Sequence, residues 1–432
     1  MKNPIPTDQV SLSDATAEVA TTQHSPRPPT VTMPFWKRVL FSVILASTVY
    51  AVLELAAIWY LKEFRGYDGR HLYQYVFDPY KNILPAPNYE DTRGIRHNSQ
   101  GFRRSTDVAR RKPAGTYRIF LLGGSTAYGL GGLWPHLEPR YPVIRNSETI
   151  DAFLERDLNA RLPGVHVEVI NAAIISTWTH HELIYVNQTI LNYQPDMILF
   201  LDGFNDYFFD NEDHDQFGDY SYGLPARTIL GEPTAGSLVY ADVWWLFRKN
   251  ALAHVLGRAL RTLKLLLTPR PQRAPVDVAR SLAGLRTVFP RSALKMHRRI
   301  GLILRDEGVR AVFMLQPMVM LEQGHKTLTP VEQRLFDFNV ASYRPNYDAF
   351  IRAAVPFVRD EEQRMAQQVG ATYLDLTTIY GATRQQVYTD YCHLTPLGNA
   401  ILAHHVADRI TPLIQRDHAA SAQPPTVLPS RQ

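Results

Sequence analysis

From about residue 116 onward the chain alternates between short apolar runs and longer amphipathic stretches. The runs cover 117–123, 165–172, 196–202, 309–316 and 372–376 and are dominated by Val, Ile, Leu, Met and Phe. Near-continuous apolar runs of this length are expected of strands buried on both faces. Between them, apolar positions recur at three- and four-residue spacing over about 147–161, 179–192, 291–307, 344–369 and 396–413, which predicts helices. Strands alternating with helices imply parallel pairing with helices on both faces. The expected fold is α/β, a three-layer α/β/α sandwich around a parallel five-stranded sheet. Its reactive edge should lie at the carboxyl ends of the strands.

Two regions near the N-terminus lie outside the alternation. Residues 1–33 carry Pro4, Pro6, Pro26, Pro28 and Pro29 among Ser, Thr and Ala and read as a disordered tail. Residues 39–61 are almost wholly apolar apart from Ser42, Ser47, Thr48 and Glu54, with Lys37 and Arg38 before them and Lys62 and Arg65 after. About 20 residues suffice to cross a bilayer, so a transmembrane helix over 37–63 is expected. The stretch is too long for a signal-peptide core and has no small-residue cleavage site, which favours an uncleaved anchor. The competing reading is a buried amphipathic helix, and Glu54 is its best argument. A carboxylate inside a span is costly and often marks contact with another helix. Lys37 and Arg38 abut the span and favour a cytoplasmic tail with the bulk outside, in the periplasm, although Lys62, Arg65 and Arg70 dilute that bias.

Residues 66–115 read as an irregular lead-in, the main domain as 116–415, and 416–432 as a polar tail. The gap between the third and fourth strands is too long for one crossover, so 206–290 is an insertion. It combines an acidic, aromatic segment with a basic amphipathic stretch around 243–267 that includes Leu252, Leu256, Leu260 and Leu263 beside Arg248, Lys249, Arg258, Arg261 and Lys264. Such a helix either lies on anionic lipid or caps the domain as a lid.

Composition adds bounds. The 432 residues are 45% hydrophobic and 20% charged, enough to bury a large core. The net charge of +5 is dispersed, with no basic block interleaved with aromatics, so a nucleic-acid partner is not expected. Cys392 is the single cysteine, which rules out an intrachain disulfide and leaves the compartment unread.

The chemistry concentrates at the end of the first core strand, where Gly123-Gly124-Ser125-Thr126 follows an apolar run. Two glycines let the backbone turn sharply and present a hydroxyl. Such a serine cradles phosphate or acts as a nucleophile. Gly124 and Gly129 have the spacing of a phosphate-binding loop, but Leu130 and Gly131 stand where lysine and a metal-binding hydroxyl are needed. The phosphate reading therefore falls. A nucleophilic serine requires a base, an orienting carboxylate and oxyanion donors. Asn205 follows the third strand within Gly203-Phe204-Asn205-Asp206, Asn171-Ala172-Ala173 follows the second, and Asp390 stands three residues before His393 in the turn opening the last helix.

Those four blocks, in that order, resemble the SGNH (GDSL-type) hydrolase family over roughly 115–412, outside the insertion. Asn98-Ser99-Gln100-Gly101-Phe102-Arg103 also resembles a lead-in of its membrane-anchored bacterial members. The resemblance implies a flavodoxin-like sheet, Ser125 as nucleophile, and His393 as general base oriented by Asp390. It implies an oxyanion hole from Ser125, Ala173 and Asn205, and neither cofactor nor metal. The family usually has glycine where this chain has Ala173, which puts the close approach at that donor in doubt.

The resemblance further implies an esterase acting on O-acyl, foremost acetyl, groups of a cell-envelope carbohydrate or lipid, held to the membrane by 39–61 and associated with envelope polysaccharide machinery. An O-acyltransferase of polysaccharide modification and a non-catalytic binding module are the alternatives. Other polar groups receive plainer readings: Cys392 as a packed thiol, His180, His181, His404 and His405 as core or surface histidines, residues 211–215 as a solvated acidic loop, and Asp202 and Asp206 as local caps.

Overall fold

In the computed structural model, which describes residues 33–65, 74–78, 81–133, 137–207, 250–267, 275–342 and 345–422, the five apolar runs pair as one parallel sheet. The chain divides into two units, one ending at Val52 and one beginning at Leu53. The described part of the first is the opening of α1 (Phe35–Arg65), a helix long and apolar enough to cross a membrane.

The second unit continues α1 and then forms a two-stranded antiparallel hairpin, β1 (Tyr75–Asp78) and β2 (Asn82–Pro85). The core begins with β3 (Thr116–Gly123), α2 (Ser125–Tyr128), α3 (Ile150–Arg161), β4 (His166–Asn171), α4 (Thr179–Gln188), β5 (Met197–Asp202) and α5 (Phe204–Tyr207). It continues with α6 (Ala251–Leu267), α7 (Val278–Val288), α8 (Ala293–Asp306), β6 (Arg310–Leu315), α9 (Pro330–Ser342), α10 (Tyr347–Val369), β7 (Thr372–Asp375) and α11 (Pro396–Ala422).

The strand order is β4-β3-β5-β6-β7, all parallel, the doubly wound order of flavodoxin-like sheets. Side chains of β3 alternate between two cores. Ile119 and Leu121 join Leu154 and Leu158 of α3 and Leu402, Val406 and Ile410 of α11. Phe120 and Leu122 join Tyr185 and Val186 of α4 and Ile300 and Leu304 of α8. Helix α10 serves both cores, with Ile351 and Val358 in the first and Met365 and Val369 in the second. Because the order reverses beside β3, the crevice between the ends of β3, β4 and β5 is where a ligand site is expected.

Several boundaries differ from the sequence reading. The lead-in is not wholly irregular, since it holds the β1–β2 hairpin and packs Phe102 against Phe120 of β3. Helices α7 and α9 fall outside the expected set; α7 is capped by Asp277, which accepts from the Arg280 N–H, α9 opens on a reciprocal Thr329–Glu332 capping box, and packing covers Leu285 and Leu335. The last helix runs past 415 to Ala422, because Asp417 accepts hydrogen bonds from the Tyr117 hydroxyl at 2.6 Å and Arg310 Nε at 2.9 Å. The tail up to residue 32, the acidic segment 211–215 and residues 423–432 lie outside the described residues.

Candidate active site

The Ser125 turn is built by two glycines doing different work. Gly123 has φ +135°, and a Cβ there would stand 2.4 Å from the carbonyl oxygen of Leu201 on the neighbouring strand, so only glycine closes this turn against the sheet. Gly124 has an ordinary extended φ of −81°, but a Cβ would lie 2.7 Å from Nδ2 of Asn205. Its missing side chain is what lets the amide from the end of β5 approach the Ser125 turn.

Arg103 locks the far side of this turn. It is fully buried, and Nη1 donates to the carbonyls of Tyr128 and Gly129 at 2.6 and 2.8 Å, capping the short helix, while Nη2 donates to the carbonyl of Ile144. Its guanidinium also lies 4.4 Å from the Tyr128 ring centroid. Asn171 reaches the same turn from β4, its Nδ2 donating to the Ala127 carbonyl at 3.1 Å and to Asp151 at 2.7 Å. A buried guanidinium on carbonyls is a strong, charge-assisted arrangement. Arg103 carried no functional reading by itself in the sequence; only its place in the 98–103 block marked it.

His393 arrives from the turn before α11. Its Nε2 is 2.8 Å from Oγ of the half-buried Ser125, and its Nδ1 is 2.7 Å from Oδ2 of Asp390. An ionised carboxylate can only accept, so Nδ1 carries the proton and the Nε2 lone pair faces the serine hydroxyl. Asp390 is itself fully buried. Its Oδ1 accepts from the backbone N–H groups of Cys392 and His393, and its Oδ2 from that of Leu133 at 2.9 Å. Burial alone would raise its carboxyl, but the imidazole of His393 and these N–H donors outweigh burial and hold it below the usual carboxylate range.

The turn is braced from below by buried polar groups. The Tyr388 hydroxyl donates to Glu322 at 2.6 Å, the Val387 N–H donates to Glu332 at 2.9 Å, and Lys326 pairs with Glu332 at 2.7 Å. Burial pushes the Glu322 carboxyl up to about 7, with the Tyr388 hydrogen bond and Lys326 opposing.

Of the three expected oxyanion donors, two sit together. Ser125 opens α2, where the first backbone N–H groups have no partner within the helix. Asn205 Nδ2 donates to the Thr177 carbonyl at 3.0 Å and lies against Gly124, 2.7 Å from where a Cβ would stand. Ala173 differs. It is buried, and its N–H already donates to Oδ1 of Asn171 at 3.2 Å, so a role toward a ligand requires that bond to be shared or broken. The methyl group and the neighbouring asparagine together account for the difference.

Behind Asn205 lies a buried acidic cluster that the sequence did not reveal, because its members come from five separate elements. Asp206 Oδ1 accepts from both the N–H and the hydroxyl of Thr179 at 3.0 Å, capping α4. His297 of α8 faces Glu362 at 2.8 Å through Nδ1 and Asp202 at 3.3 Å through Nε2. Burial would lower the pKa of this imidazole, but Glu362 and Asp202 beside it outweigh burial and raise it well above the ordinary histidine range. Burial and the nearby Asp202 push the Asp206 carboxyl up to about 7 and raise that of Glu182 as well.

Among the described residues, two groups bring three metal-ligating side chains within reach of one another, Glu182 with Asp202 and His297, and Asp390 with Cys392 and His393. In each, both histidine nitrogens are already directed at carboxylates or at Ser125, which suits proton holding rather than ligation. The Cys392 thiol is buried and its pKa pushed far up, first by burial and then by Asp390, as a packed thiol requires. His181 is buried and His180 half-buried, and burial lowers both to about 4, so they are neutral core groups.

No family model matches the chain, and no curated protein sequence matches it. Solved structures similar to it include a lipase/acylhydrolase from Enterococcus faecalis, at 16% identity over 69% of this chain and 96% of that one with a TM-score of 0.33. A GDSL-like lipase from Parabacteroides merdae is 12% identical over 69% of this chain and 96% of its own, with a TM-score of 0.35. A catalytic mutant of an acetylxylan esterase from Geobacillus stearothermophilus is 11% identical over 68% and 94%, with a TM-score of 0.36.

Proposed function

We propose that the protein is a membrane-anchored serine ester hydrolase that removes O-acyl, foremost acetyl, groups from a carbohydrate or lipid of the cell envelope. The observation that carries this reading is the unbroken hydrogen-bonded line from buried Asp390 through His393 to Ser125, with Asn205 against the same turn.

The chemistry runs in two halves. Ser125 Oγ attacks the ester carbonyl carbon as His393 Nε2 takes its proton, and Asp390 stays ionised and stabilises the imidazolium. The N–H of Ser125 and the amide of Asn205 receive the negative charge that develops on the carbonyl oxygen, with Ala173 a third donor if Asn171 yields its N–H. Collapse of the tetrahedral intermediate expels the alcohol, which takes the proton from His393. Water then attacks the acyl-enzyme with His393 as base, releasing the acid and restoring Ser125. Each preorganised oxyanion donor contributes ~3–4 kcal/mol to such a step.

A fluorophosphonate tests the nucleophile directly. The full-length protein in detergent should be labelled on Ser125 and lose p-nitrophenyl acetate hydrolysis as it is labelled. Ser125→Ala should abolish labelling and lower kcat/KM by about 10⁴–10⁶-fold without lowering Tm. Undiminished hydrolysis by the Ser125→Ala protein would sink the mechanism. Acyl transfer to an added glycan in excess of hydrolysis would move the reading to the O-acyltransferase class.

A further inference from the structure

The insertion helix α6 raises a question that the reaction leaves untouched. Three of its leucines, Leu256, Leu260 and Leu263, are 52%, 66% and 50% exposed and fall at i, i+4 and i+7 on one stripe. In water, that stripe is a standing cost. Beside it, Ala251, Leu252 and Val255 pack against Ala57, Ile58 and Leu61 of α1.

The start of α6 is finished in an unusual way. The N–H groups of Ala251 and Leu252 donate to the two carboxylate oxygens of Glu54, at 2.6 and 2.8 Å, and the N–H of Ala253 donates to the Asn250 side chain at 2.8 Å. A helix end in water leaves such groups to solvent, whereas one in hydrocarbon must satisfy them from protein. Here three successive N–H groups are satisfied without water, and the carboxylate complements the positive end of the helix dipole. The depth agrees. Trp59, Tyr60 and Phe64, all exposed, mark an aromatic belt at the end of α1 of the kind that sits at a membrane interface. Glu54 lies five residues earlier, ~7.5 Å toward the hydrocarbon side.

We propose that α6 lies in the headgroup–acyl boundary of the bilayer crossed by α1, with Leu256, Leu260 and Leu263 in lipid and Glu54 of α1 sealing its N-terminus. This rests on the membrane reading above and deepens it: the single carboxylate in an apolar span is there to cap a second membrane-bound helix. The insertion then acts as a second attachment of the hydrolase to the membrane rather than as a lid over the site.

The full chain in nanodiscs of phosphatidylcholine and phosphatidylglycerol provides the test, with an environment-sensitive NBD label placed singly by Leu260→Cys or, as a depth reference, Leu45→Cys, in a Cys392→Ala background. With α6 buried ~5–10 Å into the interface, lipids brominated near the top of the acyl chain should quench the Leu260 label at least about two-fold. They should quench the Leu45 label only when the bromines are placed deeper. Glu54→Ala should relieve quenching at position 260 and leave position 45 unchanged. A Leu260 label as unquenched as a water-exposed dye, beside a quenched Leu45 label, overturns the proposal and leaves the anchor standing. If neither label is quenched, the membrane reading fails and this proposal with it.

Discussion

Gly123 and Gly124 are neighbours of the same type, yet they should fail differently when substituted. Gly123→Ala puts a Cβ into a left-handed backbone conformation and onto the Leu201 carbonyl, so it should cost on the order of 1–3 kcal/mol for the conformation and more for the contact, read as a fall in Tm. Gly124→Ala meets no backbone strain. Its methyl group displaces the Asn205 amide, so the fold should survive while kcat approaches the about 10²–10³-fold loss of a missing oxyanion donor. Asn205→Ala should give the same loss, and the two substitutions combined should cost little more than either. Additive losses would mean that Gly124 serves something other than Asn205. Asp390→Asn places an amide where Nδ1–H needs an acceptor, so kcat should fall about 10⁴-fold while Ser125 still takes up a fluorophosphonate slowly.

At the scale of elements, the turn carrying Asp390 and His393 is only as stable as what lies beneath it. The Glu322 carboxyl is raised from 4.5 to about 7, chiefly by burial, so the folded state holds a proton that the unfolded chain releases near pH 4.5. That contribution is fully present below pH 4.5 and is lost as pH rises through about 7, amounting to at most ~3 kcal/mol. Urea midpoints measured from pH 4.5 to 8 should therefore fall less steeply for Glu322→Gln than for the parent protein. Equal slopes would show that the group titrates normally. The nucleophile turn has its own brace in Arg103, which ties a segment well before the sheet to α2 and β4 through buried carbonyls. Lysine cannot reproduce that fork, so Arg103→Lys should lower both Tm and kcat, and in proportion.

Across the core sheet, parallel strands place their carboxyl ends on one edge, so residues as distant in sequence as 125, 205 and 393 meet there. The proposed anchoring by α1 can be tested for its direction. With the tail cytoplasmic, protease added to spheroplasts should cut the domain beyond residue 66 and spare the N-terminal tail. The reverse pattern would place the hydrolase inside.

The sequence by itself determined the five strands and their parallel pairing and brought Ser125, Asn205, Asp390 and His393 forward as candidates, because these depend on local periodicity and on glycine, asparagine and histidine at element ends. It also marked Glu54 as anomalous and as a sign of contact with another helix, without saying which. Only the tertiary structure decided that Glu54 meets the start of α6 and that Ala173 gives its N–H to Asn171. It alone decided, too, that Arg103 caps the nucleophile turn and that Glu182, Asp202, His297 and Glu362 gather behind Asn205. The Asn171–Ala173 bond is local, set by the backbone after β4; the others join segments far apart in the chain, and the charge or donor that completes them leaves no periodic trace. Burial then decides what each group does, since removing water turns an ordinary carboxylate into a cap, a proton holder or the fixed partner of an imidazole.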